Sequence, residues 1–306
     1  MIKPDRLPDF YVIGTQKAGT TTLHDRLSNC NLVNLPDTKE THFFSDDSNY
    51  MRGVEWYIKQ FPPTTQSIIR GEIAPDYLFS IDAPSRIHEL TPTPNIIAIF
   101  RNPLERAHSN YLMAVRNGYE NMNFHEALSA EASRISTGGS RERQLFSYLG
   151  RSLYADQLKH FHAKLPKANY LYLKFEDFTD TGAAGVATYR KICDFIGVPE
   201  CAEGIDLQAK SNVASQPRST FLRDQLYNPS LFKRILRFLI PSRDLRSKIA
   251  YRLDIMNQRP VSKSEISSVP EFVIARLIDD LEQLQLFTNL DLTHWKDRIS
   301  RHNQGK

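Results

Sequence analysis

The apolar positions of this chain fall into short continuous runs set between longer stretches with helical spacing. Phe10–Ile13 is apolar throughout and stops at Gly14, the pattern of a buried strand ended by a turn residue. Asn95–Phe100 and Tyr170–Phe175 read the same way, and Ser67–Ile73 adds a further strand. Between them, Thr20–Leu27 puts Leu23 and Leu27 on one helical face, and Leu104–Arg116, Phe124–Glu131, Leu153–Ala163 and Val186–Ile196 also predict helices. Ile274, Leu277, Ile278, Leu281 and Leu284 mark a late amphipathic helix. Polar Ser133–Arg143, with Gly138-Gly139 and several arginines, predicts a mobile loop. Strands alternating with helices predict an α/β fold, with a central parallel sheet flanked by helices on both faces. No repeat or linker divides the chain, so one domain is expected over residues 1–306, with a helical, basic part from residue 220 to 306 packed on it. Ligands of such sheets bind beyond the carboxyl ends of the strands.

The first strand runs into Gly14-Thr-Gln-Lys-Ala-Gly-Thr-Thr-Thr22. Gly14 and Gly19 have the spacing of a G-x-x-x-x-G-K-[ST] phosphate loop, which makes the domain P-loop-like. Thr20, however, stands where that loop has its lysine, and Lys17 lies inside the turn. Backbone N–H groups from Lys17 to Thr22, ahead of a helix N-terminus, form an anion cradle. The threonine hydroxyls add donors and Lys17 a point charge. Gln16, Lys17, Ala18, Gly19, Thr20, Thr21 and Thr22 are therefore candidates for gripping a phosphate-like group; the bland alternative is an ordinary strand-to-helix turn.

A second anion site is readable in Arg101-Asn-Pro-Leu-Glu-Arg-Ala-His-Ser109. Asn102 suits the N-cap of a helix, Pro103 its first residue and Glu105 its third. Ser109 follows Asn102 by two helical turns on the same face. An arginine fork and a hydroxyl can clasp a dianionic phosphate, although taken alone the stretch favours a structural ion pair at Arg101 with Ser109 incidental. In Lys39-Glu-Thr-His-Phe-Phe44, an extended backbone would turn Glu40 and His42 to one face. Such a pair can remove a proton from an acceptor hydroxyl as the hydroxyl reacts, since an alcohol is too weak an acid to ionise beforehand. The alternatives are a solvated Glu40 and a packed, hydrogen-bonded His42.

Taken together these stretches resemble the sulfotransferases that use 3′-phosphoadenylyl sulfate. Thr15–Leu23 resembles their phosphosulfate loop, and Arg101–Tyr111 their R-[DN]-P-x-x-R-x-x-S-x-Y motif. Lys39–Phe44 resembles the K-E-x-H-F-F motif of the carbohydrate-type members, heparan sulfate enzymes and bacterial relatives among them. The resemblance implies that the loop grips the 5′-phosphosulfate and that Lys17 stabilises charge on the departing phosphate. It implies that Arg101 and Ser109 hold the 3′-phosphate and that Glu40 is the general base. His42 is then its orienter, an acceptor contact or the alternate base. The co-substrate would be 3′-phosphoadenylyl sulfate and the product adenosine 3′,5′-bisphosphate, with no metal. Gly71–Tyr77 matches the family's E-K-x-P-x-Y stretch imperfectly, with Ile73 in place of the lysine, and Gly150–Tyr154 resembles a G-x-x-Y segment near the acceptor cleft. Tyr77 and Tyr154 thus join Glu40 and His42 as acceptor-binding candidates. Asp291–Trp295 resembles a common C-terminal ending. Asn212–Arg218 reads either as a surface turn or as a nucleotide-covering loop with Arg218 on the 3′-phosphate.

The net charge of +4 suits an anionic ligand but not a chain that coats nucleic acid. Lys233, Arg234, Arg237, Arg243, Arg246, Lys248 and Arg252 crowd one apolar-interleaved segment, readable as a solvated helical face, a contact for an acidic acceptor or a peripheral membrane contact. Cys30, Cys193 and Cys201 have spacing that fits neither a disulfide framework nor a zinc site, so free thiols in a reducing compartment are expected. With no signal-peptide core, glycosylation sequon or membrane-length apolar run, a cytoplasmic location is expected. The function expected is in-line transfer of a sulfuryl group to a hydroxyl of a saccharide, glycolipid or small metabolite. A P-loop kinase or NTPase is disfavoured by Thr20 and the Arg101/Ser109 pair. A non-catalytic module for anionic ligands is the third reading. Oligomeric state is not legible.

Overall fold

The computed structural model describes residues 7–63, 68–205, 207, 215–217, 219, 258–260, 266 and 268–303. Two compact units divide the chain. One comprises Met1–Arg106, Leu153–Asn212 and Arg276–Asp297, the other Ala107–Ser152, Val213–Ala275 and Arg298–Lys306.

The first unit holds a five-stranded sheet of β1 (Phe10–Gly14), β2 (Val33–Asn34), β3 (Ile69–Ile73), β4 (Asn95–Phe100) and β5 (Asn169–Lys174). The order is β2-β3-β1-β4-β5 and every adjacent pair is parallel. Residues Phe10–Ile13 and Ile96–Phe100 are all 0% exposed, although alternate side chains point to opposite faces. Both faces of the sheet are therefore covered, which is why these strands read as unbroken apolar runs. The path from β3 to β4 crosses β1, so the strand order reverses there and the crevice beyond the carboxyl end of β1 is where such folds bind ligands. The register shifts between Val12 and Gly14 where β1 leaves the ladder.

Among the described residues the α-helices are α1 (Thr20–Ser28), α2 (Asp47–Tyr50), α3 (Val54–Ile58), α4 (Ala83–Leu90), α5 (Pro103–Arg116), α6 (Phe124–Thr137), α7 (Ser140–Phe146), α8 (Tyr154–Lys164), α9 (Phe175–Thr179), α10 (Ala183–Ile196) and two late ones, Glu271–Thr288 and Thr293–Ser300. All helices expected from the pattern within the described residues form. Among the described residues no helix is long and apolar enough to cross a membrane.

Two expectations are corrected. Ser133–Arg143 is not a loop: α6 continues to Thr137, the chain breaks at Gly138-Gly139, and α7 starts at Ser140. Two charged residues of the stretch are tied to partners, and α6 is capped ahead of it. Asn123 and Glu126 form a reciprocal cap at the start of α6, Arg134 pairs with the buried Glu120 at 2.5 Å, and Glu142 accepts the Gly139 N–H at 2.9 Å. Nor are all the cysteines free. Cys30, just past α1, is disulfide-bonded to Cys201, with Cα atoms 5.5 Å apart and 171 residues between them in sequence. Only Cys193 is a free thiol, and burial pushes it up to about 11. Arg218 and the basic segment from Lys233 to Arg252 lie outside the described residues.

The Glu271–Thr288 helix buries Leu277, Leu281 and Leu284 and turns Asp280 inward with them. The Asp280 carboxylate accepts the N–H groups of Tyr154 at 2.7 Å and Ala155 at 3.0 Å, two donors that the start of α8 leaves without intrahelical partners. Desolvation outweighs those bonds and raises the carboxyl from 3.8 to about 6. A group raised in the folded state contributes stability that is present below its unfolded value and is lost as pH rises through the folded one. Asp280 should therefore remove stability on the order of 3 kcal/mol between pH 3.8 and about 6. Urea titrations across that window should show the loss in wild type and not in Asp280→Asn; parallel profiles would contradict the assignment.

Candidate active site

Thr15 ties the phosphate-type loop to the end of β4, its N–H reaching the Ile99 carbonyl at 2.8 Å and its hydroxyl the same oxygen at 3.2 Å. The turn is then built from two left-handed residues, Lys17 at φ 73° and Gly19 at φ 79°. Gly19 is required twice over, because a Cβ there would also lie 3.2 Å from the Phe175 ring. Lys17 has no such freedom and holds a conformation costing about 1–3 kcal/mol, of the kind found at ligand clamps. Ala18 is fully buried and its N–H closes the turn on the Thr15 carbonyl at 3.1 Å. Gln16, Lys17, Thr21 and Thr22 are half-buried, and Thr20 is buried at the first position of α1. The N-cap of α1 is Gly19, which offers no side-chain cap, and its first turn carries no acidic residue, so the N-terminal dipole favours an anion at the loop.

Arg101 leaves β4 and returns to this loop. Its Nη1 donates to the Lys17 carbonyl at 3.1 Å, its Nη2 reaches Glu105 Oε2 at 3.4 Å, and the guanidinium lies 4.7 Å above the Phe175 ring. Its Nε is buried and has no hydrogen-bond partner among the described residues. A buried orphan donor on a cation calls for an acceptor, and a phosphate oxygen would supply one. Asn102 is the expected cap, its Oδ1 accepting the N–H groups of Leu104 at 3.1 Å and Glu105 at 3.2 Å. Glu176, which sequence reasoning missed, brings a second carboxyl toward Arg101; burial raises it and Arg101 partly offsets that. Ser109 is buried on α5, in the second unit, whereas Arg101 belongs to the first.

The Lys39–Phe44 segment is not extended. His42 is left-handed at φ 52°, and its carbonyl accepts the N–H groups of Ser45 and Asp46 at 3.3 and 3.0 Å, closing a turn. Glu40 and His42 still meet, with Nε2 3.9 Å from Glu40 Oε2, while Lys39 holds Glu40 Oε1 at 2.6 Å. The turn is anchored by Glu72, which is fully buried. Glu72 Oε1 accepts the Thr41 hydroxyl at 2.5 Å and its N–H at 3.3 Å, and Oε2 accepts the Tyr57 hydroxyl at 2.6 Å. Burial raises the Glu72 carboxyl despite those hydroxyls. Phe43 and Phe44 fix the other side, Phe43 stacking on Tyr57 at 4.4 Å. Glu72 was visible in the sequence only as the acid of the Gly71–Tyr77 stretch.

Tyr77 and Tyr154, expected at the acceptor, are fully buried here. The Tyr77 hydroxyl lies 3.5 Å from both the Thr41 hydroxyl and the Phe44 N–H, and Tyr154 donates to the Arg101 carbonyl at 3.0 Å. Each braces a strand end or turn that carries a site residue. Burial raises both phenols, so both stay protonated donors at neutral pH.

A family model described as the sulfotransferase domain matches residues 7–224. Human heparan sulfate glucosamine 3-O-sulfotransferase 6 is 29% identical over 202 residues, covering 63% of this chain and 53% of that protein. The Drosophila melanogaster bifunctional heparan sulfate N-deacetylase/N-sulfotransferase is 32% identical over 186 residues, covering 53% of this chain and 17% of that protein. This chain thus spans about half, or less, of the length of these relatives. The crystal structure of a sulfotransferase from Alicyclobacillus acidocaldarius superposes with a TM-score of 0.64 at 23% identity, covering 95% of this chain and 99% of that one, which establishes a shared fold.

Proposed function

This chain belongs to the sulfotransferase domain family, and on that premise we propose that it moves a sulfuryl group from 3′-phosphoadenylyl sulfate to an acceptor hydroxyl, with Glu40 as general base. The observation that carries this reading is the joining of two anion-binding elements. Arg101 is bonded to the Lys17 carbonyl, so guanidinium and loop form one assembly, and the buried Nε–H is left over for a ligand oxygen. Ordinary ATP lacks a 3′-phosphate, so an arginine assigned to that group selects the bisphosphate nucleotide.

The donor supplies an activated sulfuryl group on a phosphate leaving group. The α1 N-terminus and the threonine hydroxyls bind its 5′ end, and Arg101 binds the 3′-phosphate. Lys17 meets the negative charge that grows on the leaving oxygen. Glu40 takes the acceptor proton through Oε2, since Oε1 is held by Lys39. The loop's lysine is not followed by Ser or Thr in the Walker manner, and no metal is assigned a role. The two relatives named above are heparan sulfate sulfotransferases, so a saccharide hydroxyl heads the acceptors, with glycolipids and small metabolites beside it.

The test is transfer of radiolabel from 3′-phosphoadenylyl sulfate to a panel of saccharide and small-molecule hydroxyls in the presence of a chelator. Labelled product supports the reading. Nucleotide binding with no product across the panel would make the chain a binding module.

A further inference from the structure

Asp76 lies in the turn after β3, which is stitched to the end of β1 by Ala74 N–H to Val12 O at 3.0 Å and Leu78 N–H to Ile13 O at 2.8 Å. It therefore stands where β1 passes into the phosphate-type loop. Its Oδ2 is 3.6 Å from His42 Nδ1, while the other ring nitrogen, Nε2, faces Glu40 Oε2 at 3.9 Å. The imidazole is thus set between two carboxylates that address opposite nitrogens. Asp76 is the more enclosed partner, with its side chain 11% exposed against 38% for His42. The ring is delivered there by a left-handed backbone at His42, and Glu72 pins that backbone through Thr41. Strain of this kind persists only where surrounding contacts over-determine it. The other charged groups near His42 are Asp46, which His42 helps to lower, and Lys39 beyond Glu40. One atom from each of Glu40, His42 and Asp76 falls within 4.8 Å of the others. Because each carboxylate lies nearest a different nitrogen of one ring, a proton taken up at one nitrogen can be balanced by charge at the other.

We propose that Asp76 is a positioning residue that fixes the Nδ1–H tautomer of His42, leaving Nε2 to receive the proton that Glu40 takes from the acceptor. The inference rests on the sulfotransferase reading above. As the acceptor oxygen bonds to sulfur, the bond from sulfur to the phosphate oxygen breaks and its electron pair leaves with the nucleotide. The acceptor proton goes to Glu40 Oε2 and then to His42 Nε2, which restores the Glu40 carboxylate. The resulting imidazolium donates from Nδ1 to Asp76. Which nitrogen of a histidine carries the proton is set by the partners the ring faces, and here the Asp76 carboxylate faces Nδ1 at 3.6 Å.

The experiment is a long-range proton–nitrogen correlation spectrum of the full chain labelled with nitrogen-15 histidine, in alkaline buffer. His42 is picked out of the nine histidines by the signals lost in His42→Gln. Wild type should show the proton on Nδ1. Asp76→Asn should move it toward Nε2, the site an unconstrained imidazole prefers, and Asp76→Glu should keep it on Nδ1. A wild-type His42 protonated on Nε2, or a tautomer unmoved by Asp76→Asn, would overturn the proposal. Adenosine 3′,5′-bisphosphate binding measured on the same samples separates the two claims, since a failed donor site leaves the tautomer result standing on its own.

Discussion

Replacing Lys17 with alanine should lower single-turnover transfer by about a hundred- to a thousandfold, the range for removing one preorganised group aimed at developing charge. The fold should survive, because what the loop uses for its architecture is the Lys17 backbone: its carbonyl holds Arg101 and its left-handed φ shapes the turn. Both remain with an alanine side chain. The side chain beyond Cβ is removed, and the proposed work of its ammonium is on the leaving phosphate. Nucleotide affinity should fall less than turnover, since loop N–H groups and Arg101 still bind. Rapid-quench rates beside a thermal melt separate these effects. Single-turnover rates that survive in a folded Lys17→Ala protein would remove the lysine from the chemistry.

Glu40→Gln should cost about a hundred- to ten-thousandfold in transfer, the worth of a positioned base. The replacement keeps shape and an oxygen for the Lys39 ammonium, which sits 2.6 Å from Glu40 Oε1. It removes the negative charge and with it the ability to take a proton. Binding of adenosine 3′,5′-bisphosphate should be unchanged, because Glu40 lies on the turn before α2 and the donor groups lie on the loop, α1 and Arg101. Retained transfer in Glu40→Gln would move the base to His42, whose Nε2 is the nearest alternative at 3.9 Å from the Glu40 carboxylate.

Where one local rule decides the structure, the sequence is legible. β1 and β4 are continuous apolar runs because a parallel sheet covered on both faces needs no polar side. The Asn102-Pro103 start of α5 follows from cap chemistry, and Gly19 from a backbone that an L side chain resists. Legibility ends where distant residues decide. Cys30 and Cys201 are brought together by the fold across 171 residues, which no spacing rule reports. The Ser133–Arg143 stretch looked like a loop because its charges were assigned to solvent, whereas Arg134 is spent on Glu120 and Glu142 on Gly139. His42 reached Glu40 by a left-handed turn, not by the alternation of a strand, because Glu72 holds Thr41 from below. Tyr77 and Tyr154 matched motif positions, and only the fold shows that their hydroxyls lie at the Thr41 turn and the Arg101 carbonyl. Asp76 carried no signal of its own; only the stitching of its turn to β1 puts it beside His42.

The measurement that bears most directly on the central claim is calorimetric titration with adenosine 3′,5′-bisphosphate, beside ATP and Mg-ATP, on wild type and Arg101→Ala. The account predicts that the bisphosphate binds in preference to either ATP form without metal. It predicts that Arg101→Ala weakens that binding roughly ten- to a hundredfold, the worth of charge-assisted bonds to one phosphate. Preference for Mg-ATP, or bisphosphate binding indifferent to Arg101→Ala, would contradict it.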